Sequence, residues 1–204
     1  MSFADRPSPS PGGEPRELGG KVFGLGLART GTTSMHEAML VLGLRSAPDS
    51  IPLLDGVDLD FLRRYDAFFD NPIPFRYRAL DAICPDSRYI VTHRERDSWL
   101  ASMEWLFGAG LDRLDPKMRA VGDRVHRQVY GSDRFDADRL RAVYDRHERE
   151  VREFVADRPH VWLDVEDGFR WEPICALLGL AIPSVDFPRV NARGRRKRGR
   201  LRRG

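Results

Sequence analysis

Hydrophobic stretches of two different periods alternate along the chain. Short apolar runs rich in β-branched and aromatic residues, typical of buried strands, cover residues 21–27, 66–69, 88–93 and 160–165. Longer segments with apolar residues three or four positions apart, typical of amphipathic helices, cover residues 31–43, 76–83, 97–107, 115–130 and 136–157. Because strand-like and helical segments alternate, the pattern predicts an α/β fold with three layers, in which helices flank a parallel sheet.

A further short helix is predicted near the end of the chain. Pro173 is typical of the first turn of a helix, and Gly179 is typical of the position just after the last turn. The predicted apolar face of this helix consists of Trp171, Ile174, Leu177 and Leu178.

The length and composition fit one folded domain. A chain of 204 residues with 41% hydrophobic residues can bury one core and has little room for two. The first 20 residues contain four prolines and four glycines and no apolar run, so residues 1–20 are predicted to be a disordered leader. The domain is expected to cover residues 21–191, and residues 192–204 to form a basic, disordered tail.

Targeting signals and cysteines add one expectation. The sequence contains no pattern typical of a signal peptide or a membrane-spanning segment. Cys84 and Cys175 lie in separate apolar contexts, which is not the pattern of a disulfide framework. A cytoplasmic protein without a membrane span is therefore predicted.

The positive net charge is concentrated in the tail. Eight of the last twelve residues are arginine or lysine, which exceeds the net charge of +3, so the rest of the chain is net acidic. A tail of this kind, residues 193–204, can attract RNA or another anionic surface through salt-sensitive contacts. The alternative is a solvated terminus without a function.

A loop rich in glycine and hydroxyl groups joins the first predicted strand to the first predicted helix. Gly26 and Gly31 have the spacing of the G-x-x-x-x-G-K-[S/T] phosphate-binding loop, but Thr32 replaces the lysine and is followed by Thr33. That lysine reaches the β- and γ-phosphates of ATP, so its absence argues against γ-phosphoryl transfer. The backbone N–H groups and the helix N-terminus still suit a 5′-phosphate. The cation of the loop is Arg29.

The segment Ala28-Arg-Thr-Gly-Thr-Thr-Ser34 resembles the P-K-S-G-T-T-W or P-R-T-G-T-T-S loop of sulfotransferases that use 3′-phosphoadenosine 5′-phosphosulfate (PAPS). The resemblance implies a PAPS-dependent sulfotransferase with a fold like that of the P-loop nucleotide hydrolases. It also implies that Arg29 steadies charge on the bridging oxygen, as the lysine of the family does. The residues that it assigns to the 5′-phosphosulfate are Arg29, Thr30, Gly31, Thr32, Thr33 and Ser34.

A second site is needed for the 3′-phosphate, which distinguishes PAPS from ATP. Arg94 follows the predicted strand 88–93, and Ser102 lies about two turns into the next predicted helix. The sulfotransferase family carries an arginine and a serine at this separation on the 3′-phosphate, so the resemblance assigns this role to Arg94 and Ser102. The alternative is an Arg94 that only pairs with Glu95 or Asp97.

The end of the domain carries a third resemblance. Residues 171–179 resemble the W-E-P-L-C-x-F-L-G pattern of a branch of small sulfotransferases, and residues 187–191 resemble its F-P-x-x-N pattern. We interpret these residues as packing residues. With them, the resemblance extends over residues 21–191. A late basic loop touches the 3′-phosphate in many sulfotransferases, and Arg193 followed by Gly194 is a weak match to it.

Sulfuryl transfer needs a group that takes the proton of the acceptor, and it needs no metal ion. Asp70 is the first candidate, because it ends the predicted strand 66–69 where related enzymes keep a catalytic histidine in a K-T-H-L-P segment. Glu37 in the predicted helix 31–43 is the second. The alternatives are an Asp70 that caps its own turn and a Glu37 that interacts with the helix dipole.

The acceptor stays open at this point. A small molecule such as a phenol, a sugar or glycan, a lipid and a peptide are all compatible with the sequence, and the reacting group would be a hydroxyl, a phenol or an amine. Residues 45–60 and 105–135 are expected to shape the acceptor pocket. The aromatic residues expected to line it are Phe75, Tyr77, Trp105 and Phe107.

Two other function classes remain as alternatives. The first is a P-loop kinase for a small molecule, in which Asp164 would be the metal-binding residue at a strand end. The second is a non-catalytic nucleotide-binding or RNA-binding protein that uses its basic tail.

Overall fold

The structure of the protein, a computed structural model, describes Leu18 and residues 20–190. The predicted basic tail, with Arg193 and Gly194, lies outside the described residues. Of the predicted leader only Leu18 and Gly20 are described.

Four parallel strands form one sheet. They are β1 (Val22–Gly24), β2 (Ala67–Phe68), β3 (Arg88–His93) and β4 (His160–Asp164), in the order β2-β1-β3-β4. All four predicted strands are present. β1 is shorter than predicted, because after Leu25 the chain leaves the sheet to form the phosphate loop, which we define as residues 26–34.

Seven α-helices surround the sheet in the described part of the chain. They are α1 (Thr32–Val41), α2 (Leu59–Arg64), α3 (Ile73–Ile83), α4 (Arg96–Trp105), α5 (Pro116–Tyr130), α6 (Ala137–Val155) and α7 (Trp171–Leu178). Of these, α2 was not predicted from the sequence, since six residues are too few to show a clear helical period.

Local signals explain where several helices begin and end. The side chains of Asp115 and Asp136 accept hydrogen bonds from the first turns of α5 and α6, and Pro116 occupies the first position of α5. Gly179 follows α7 with a φ of 68°, as the C-cap prediction requires. After α4, residues 106–110 continue as one π-helical turn.

The sheet is covered on both faces, which confirms the three-layer α/β architecture. Alternate residues of each strand point to opposite faces, so Val22 and Ile90 belong to one hydrophobic cluster while Phe23 and Tyr89 belong to another. The first cluster packs against α1 and α7, and the second packs against α3 and α6. The arrangement is that of a P-loop-type α/β domain.

A third hydrophobic cluster joins α4, α5 and α6. Its central residue is Trp99 of α4, which is fully buried and contacts the rings of Tyr130 and Tyr144. This cluster also includes Leu27 and Ala28, so it connects the helices to the phosphate loop. Within the described residues, no helix is both long and apolar enough to span a bilayer.

Candidate active site

A cleft of about 790 Å³ lies where the strands β1, β2 and β3 end. This volume is in the range of pockets that bind cofactors and drug-sized molecules. The lining comes from the phosphate loop, from α4 and α5, and from the segments 48–51, 70–71 and 165–190. In parallel α/β sheets, ligands bind at the carboxyl ends of the strands, which is where this cleft is found.

The phosphate loop ends at Gly31, whose φ of 92° allows α1 to begin at Thr32. A methyl group on Gly31 would lie 2.5 Å from the ring of Phe169, so two independent constraints require glycine at this position. Among the described side chains none caps the start of α1, and the first turn contains no acidic residue. The N–H groups at the start of α1 are therefore oriented for an anion.

Arg29 is held at the cleft by contacts with α4. Its backbone is left-handed, with a φ of 73°. Its Nε donates a hydrogen bond to Ser102 Oγ over 3.1 Å, and its guanidinium lies 5.1 Å from the centre of the Trp105 ring. The structure thus brings together Arg29 and Ser102, which are 73 positions apart in the sequence.

Arg94 lies on the same side of the cleft. Its Nε donates to Ser98 Oγ over 2.9 Å, and its Nη1 donates to the carbonyl oxygen of Arg29 over 3.2 Å. The nearest carboxylate oxygen belongs to Glu166, 4.0 Å from Nε. Glu95, one of the alternative partners, instead accepts hydrogen bonds from the first N–H groups of α4.

Two residues at this side of the cleft were missed by the sequence analysis. Ser98 lies one helical turn before Ser102 and four residues after Arg94, a spacing that could have revealed it. Arg189 lines the cleft because residues 181–190 return over α1, where the N–H of Val190 donates to Ser34 Oγ over 3.0 Å. We call the set Arg29, Gly31–Ser34, Arg94, Ser98, Ser102 and Arg189 the polar half of the cleft.

Thr30 and Glu37 are not among the residues that line the cleft. The hydroxyl of Thr30 donates to the carbonyl oxygen of Leu27 over 2.7 Å and lies 2.7 Å from Thr92 Oγ1, so it links the phosphate loop to β3. Glu37 lies farther along α1, half-buried. The structure therefore brings together all the predicted phosphate-binding residues except Thr30.

Residues 58–196 match a family described as "Sulfotransferase domain". The match covers more than half of the chain. The chain belongs to the sulfotransferase family. Because the match begins after the phosphate loop, the geometry of residues 26–34 is additional support for this assignment.

A relative of this sulfotransferase-family chain is known from Aspergillus versicolor. It is the "Ava biosynthesis cluster protein M", which is 28% identical over 211 aligned residues. The alignment covers 83% of this chain and 80% of the relative.

Asp70 ends β2 and lines the cleft with a left-handed backbone, at a φ of 66°. Solvent in the cleft reaches its side chain, but the surrounding protein displaces much of the water around it, and this enclosure raises the pKa of the carboxyl. The N–H of Asn71, the Thr32 hydroxyl and the Arg29 charge oppose that rise. A carboxylate with a raised pKa next to the phosphate loop can act as a general base.

The four aromatic residues predicted for the acceptor pocket do not line the cleft. Phe75 and Tyr77 line a separate groove between α3 and α6, Phe107 is buried in the third cluster, and Trp105 contacts Arg29. The predicted segments 45–60 and 105–135 do line the cleft, but with other residues. The set, which we call the apolar half, is Pro48, Asp49, Ser50, Ile51, Leu106, Leu114, Met118, Val121, Gly122, Val125 and His126.

The kinase alternative required Asp164 to bind a metal ion beside the nucleotide. In the structure, Asp164 Oδ2 lies 2.8 Å from Nδ1 of His93, whose Nε2 lies 2.8 Å from the hydroxyl of Tyr144. Asp164 is not among the residues that line the cleft. This group ties β3, β4 and α6 together, and no observation favours the kinase.

Substituting Trp99 with phenylalanine is expected to destabilise the fold by about 1–3 kcal/mol, since the carbonyl oxygen of Ala28 loses a buried hydrogen bond. Trp99 Nε1 donates to that carbonyl over 2.9 Å. Urea unfolding measures the loss. Trp162→Phe is the control, because Trp162 is only partly buried and lies outside the cleft. An equal loss in both variants would contradict the role of the Ala28 bond.

Proposed function

We propose that this chain transfers the sulfuryl group of PAPS to a hydroxyl, phenol or amine of a small-molecule acceptor. The observation that carries the proposal is the convergence of Arg29, Arg94 and Ser102 on a phosphate loop without the kinase lysine, with Asp70 on the same cleft. The relative from Aspergillus versicolor is named for a biosynthesis cluster, which favours a small-molecule acceptor.

The donor fits the residues that are present. The N–H groups at the start of α1, with the hydroxyls of Thr32 and Thr33, would hold the 5′-phosphosulfate. Arg94, with Ser98 and Ser102, would hold the 3′-phosphate as a charge-assisted pair. When bound, the donor supplies a sulfuryl group on an oxygen that it shares with the 5′-phosphate.

Asp70 and Arg29 have different roles in the transfer. The carboxylate of Asp70 takes the proton of the acceptor hydroxyl as the hydroxyl oxygen bonds to sulfur. The bond between sulfur and the bridging oxygen breaks, and negative charge develops on that oxygen. Arg29 stabilises this charge, and its contacts with Ser102 and Trp105 hold it in position beforehand.

Binding of adenosine 3′,5′-bisphosphate, measured by calorimetry without magnesium against ADP and ATP, tests the donor site. We expect a clear preference for the 3′,5′-bisphosphate, both in the full chain and in a chain that lacks residues 193–204. Transfer to an acceptor is then checked by mass spectrometry of the sulfated product. Magnesium-dependent preference for ATP would overturn the proposal in favour of a kinase.

Replacing Arg94 with alanine should weaken the binding of adenosine 3′,5′-bisphosphate by about tenfold to a hundredfold, the value of a hydrogen bond to a charged group. ADP binding should change much less, because ADP has no 3′-phosphate. Calorimetry with both nucleotides measures the difference. Arg96→Ala is the control, since Arg96 is exposed and pairs with Asp145 outside the cleft. Equal losses for ADP and the bisphosphate in Arg94→Ala would refute this role of Arg94.

Binding of RNA or an anionic surface by residues 193–204 stays a separate prediction. It would appear as salt-dependent retention that is lost when the tail is deleted, while nucleotide binding in the cleft is kept.

A further inference from the structure

One face of α5 presents apolar side chains to the cleft. Leu114 precedes the helix, and Met118, Val121 and Val125 follow at intervals of four, three and four residues, so they form one stripe. Leu114 and Met118 are 42% and 51% exposed. Large apolar side chains that border a cleft without being buried are typical of a surface that an apolar ligand covers.

The apolar half has few side-chain groups that could hydrogen-bond to a sugar. Asp49 is its only charged residue, and the carboxylate of Asp49 accepts the N–H of Ile51. The hydroxyl of Ser50 donates to the carbonyl oxygen of Phe69. The hydroxyl groups of a glycan would therefore lie unpaired against leucine, methionine and valine, and the acidic groups of an anionic glycan would meet no cation there.

Among the α5 residues that line the apolar half, His126 is the polar one. The side chain is nine-tenths buried, its ring stacks on Phe107 at 4.3 Å, and Nδ1 has no hydrogen-bond partner among the described residues. Burial lowers the pKa of His126 to about 4, so the imidazole is neutral at physiological pH. An unpaired acceptor is less costly than an unpaired N–H, so the proton belongs on Nε2, where it can be donated to a ligand.

A short path of contacts connects His126 to the proposed base. The ring of His126 lies 5.7 Å from that of Tyr130, and the Tyr130 hydroxyl accepts a hydrogen bond from Asn71 Nδ2 over 3.3 Å. Asn71 directly follows Asp70. Asp70, the α5 stripe and His126 all line the same cleft, so an acceptor whose hydroxyl meets Asp70 can extend its body along the stripe toward His126.

We propose that the acceptor is an apolar small molecule, which packs against the α5 stripe and accepts a hydrogen bond from His126 through an oxygen distant from the sulfated hydroxyl. That this molecule is sulfated rests on the proposed function. Its binding to the cleft does not.

The first experiment uses the full native chain and needs no variant. Calorimetry in the presence of adenosine 3′,5′-bisphosphate measures the binding of 4-alkylphenols from 4-methylphenol to 4-pentylphenol. We expect the affinity to rise by about threefold to fourfold for each methylene group that is buried. N-acetylglucosamine and glucose are expected not to bind at comparable concentrations. An affinity that is independent of chain length, or saccharide binding stronger than that of the phenols, would overturn the proposal.

Met118→Glu should lower the affinity for 4-pentylphenol by at least tenfold, because a carboxylate would replace the apolar contact. The same phenol should bind unchanged to Leu40→Glu, which places a glutamate at an exposed leucine of α1 outside the cleft. Equal affinities in the two variants would show that the α5 stripe is not part of the acceptor site.

A matched pair of phenols tests the hydrogen bond to His126. The ether 4-(3-methoxypropyl)phenol has the chain length of 4-pentylphenol, with one oxygen in place of a methylene group. We expect His126→Phe to lower the affinity for the ether by about fivefold, the value of one neutral hydrogen bond. The affinity for 4-pentylphenol should change by less than about twofold. His126→Gln, which retains a donor, should restore most of the ether affinity. Equal changes in affinity for both phenols in His126→Phe would show that His126 only packs.

Failure of this proposal can be told apart from failure of the proposed function. If PAPS is turned over with sugars and the alkylphenols do not bind, the sulfotransferase mechanism stands and the apolar acceptor is wrong. If alkylphenols bind with the expected dependence on chain length and no sulfated product forms, the apolar binding surface is supported and the proposed sulfuryl transfer is refuted.

Discussion

Replacing Arg29 with alanine is expected to lower kcat by about a hundredfold to a thousandfold, the cost of removing one preorganised group that stabilises developing charge. The affinity for adenosine 3′,5′-bisphosphate should fall much less, because the N–H groups of the phosphate loop and Arg94 remain. The reason is geometric: Ser102 and Trp105 hold the guanidinium at the cleft before any ligand arrives. Steady-state kinetics together with calorimetry separate the two effects.

Two further variants control for packing. Arg113 contacts the same Trp105 ring at 5.3 Å, but it does not line the cleft, so Arg113→Ala should keep nearly full activity. Arg29→Lys should retain part of the rate, since it keeps a cation at this position of the loop. The rate should not be fully retained, because the hydrogen bond from Arg29 Nε to Ser102 is lost. If Arg29→Ala lost donor affinity as strongly as rate, Arg29 would be a binding residue and not a catalytic one.

Replacing Asp70 with asparagine is expected to lower kcat by about a hundredfold to ten-thousandfold, the usual contribution of a general base. The variant preserves the shape of the side chain and the oxygen that accepts the N–H of Asn71. For an acceptor hydroxyl that does not ionise in the measured range, kcat/KM of the native chain should fall as the pH drops through the raised pKa of Asp70. This acidic limb should be absent in the variant.

Asp49→Asn is the matched control, because Asp49 is the other carboxylate among the described residues that line the cleft, and it should not remove the acidic limb. Glu37→Gln tests the second candidate base, and with Glu37 outside the cleft lining we expect its activity to be unchanged. A rate loss in Glu37→Gln equal to that in Asp70→Asn would overturn the choice of Asp70.

The raised pKa of Asp70 also has a consequence for stability. The folded state holds the proton of this carboxyl more tightly than the unfolded state does, so ionisation at neutral pH favours unfolding. Asp70→Asn should therefore unfold at a slightly higher temperature than the native chain at neutral pH. The difference should disappear as the pH falls from the raised pKa to the ordinary value of aspartate. Thermal melts at several pH values measure this change.

The sequence predicted the polar half of the cleft better than the apolar half. The phosphate loop is local, since Gly26, Arg29 and Gly31 lie within six positions and their spacing alone indicates a phosphate-binding turn. Arg94 and Ser102 were predicted from the family resemblance, which places them at one strand end and in the helix that follows it. Arg189 could not be found in this way, because only the packing of residues 181–190 over α1 brings it to the cleft.

The aromatic residues predicted for the acceptor pocket lie away from the cleft for a physical reason. Aromatic residues such as Phe75 and Phe107 have the composition of a ligand pocket, but aromatic side chains are also the main material of a core, and composition does not distinguish the two. Thr30 was misplaced for a related reason. A hydroxyl in a phosphate-binding loop can face either the ligand or the sheet, and the contact with Thr92 of β3 shows that this one faces the sheet.

The sequence by itself determined the class of the protein. Alternating periods gave the parallel α/β sheet, and the loop from Gly26 to Ser34 together with residues 171–191 indicated the sulfotransferase family, because these signals lie in contiguous residues. The tertiary structure decided the cleft. The contact of Arg29 with Ser102, the turn of Asp70 toward Thr32, and the stripe of α5 with His126 all join residues from distant parts of the chain. Such contacts depend on how the helices pack against the sheet, which no local pattern specifies.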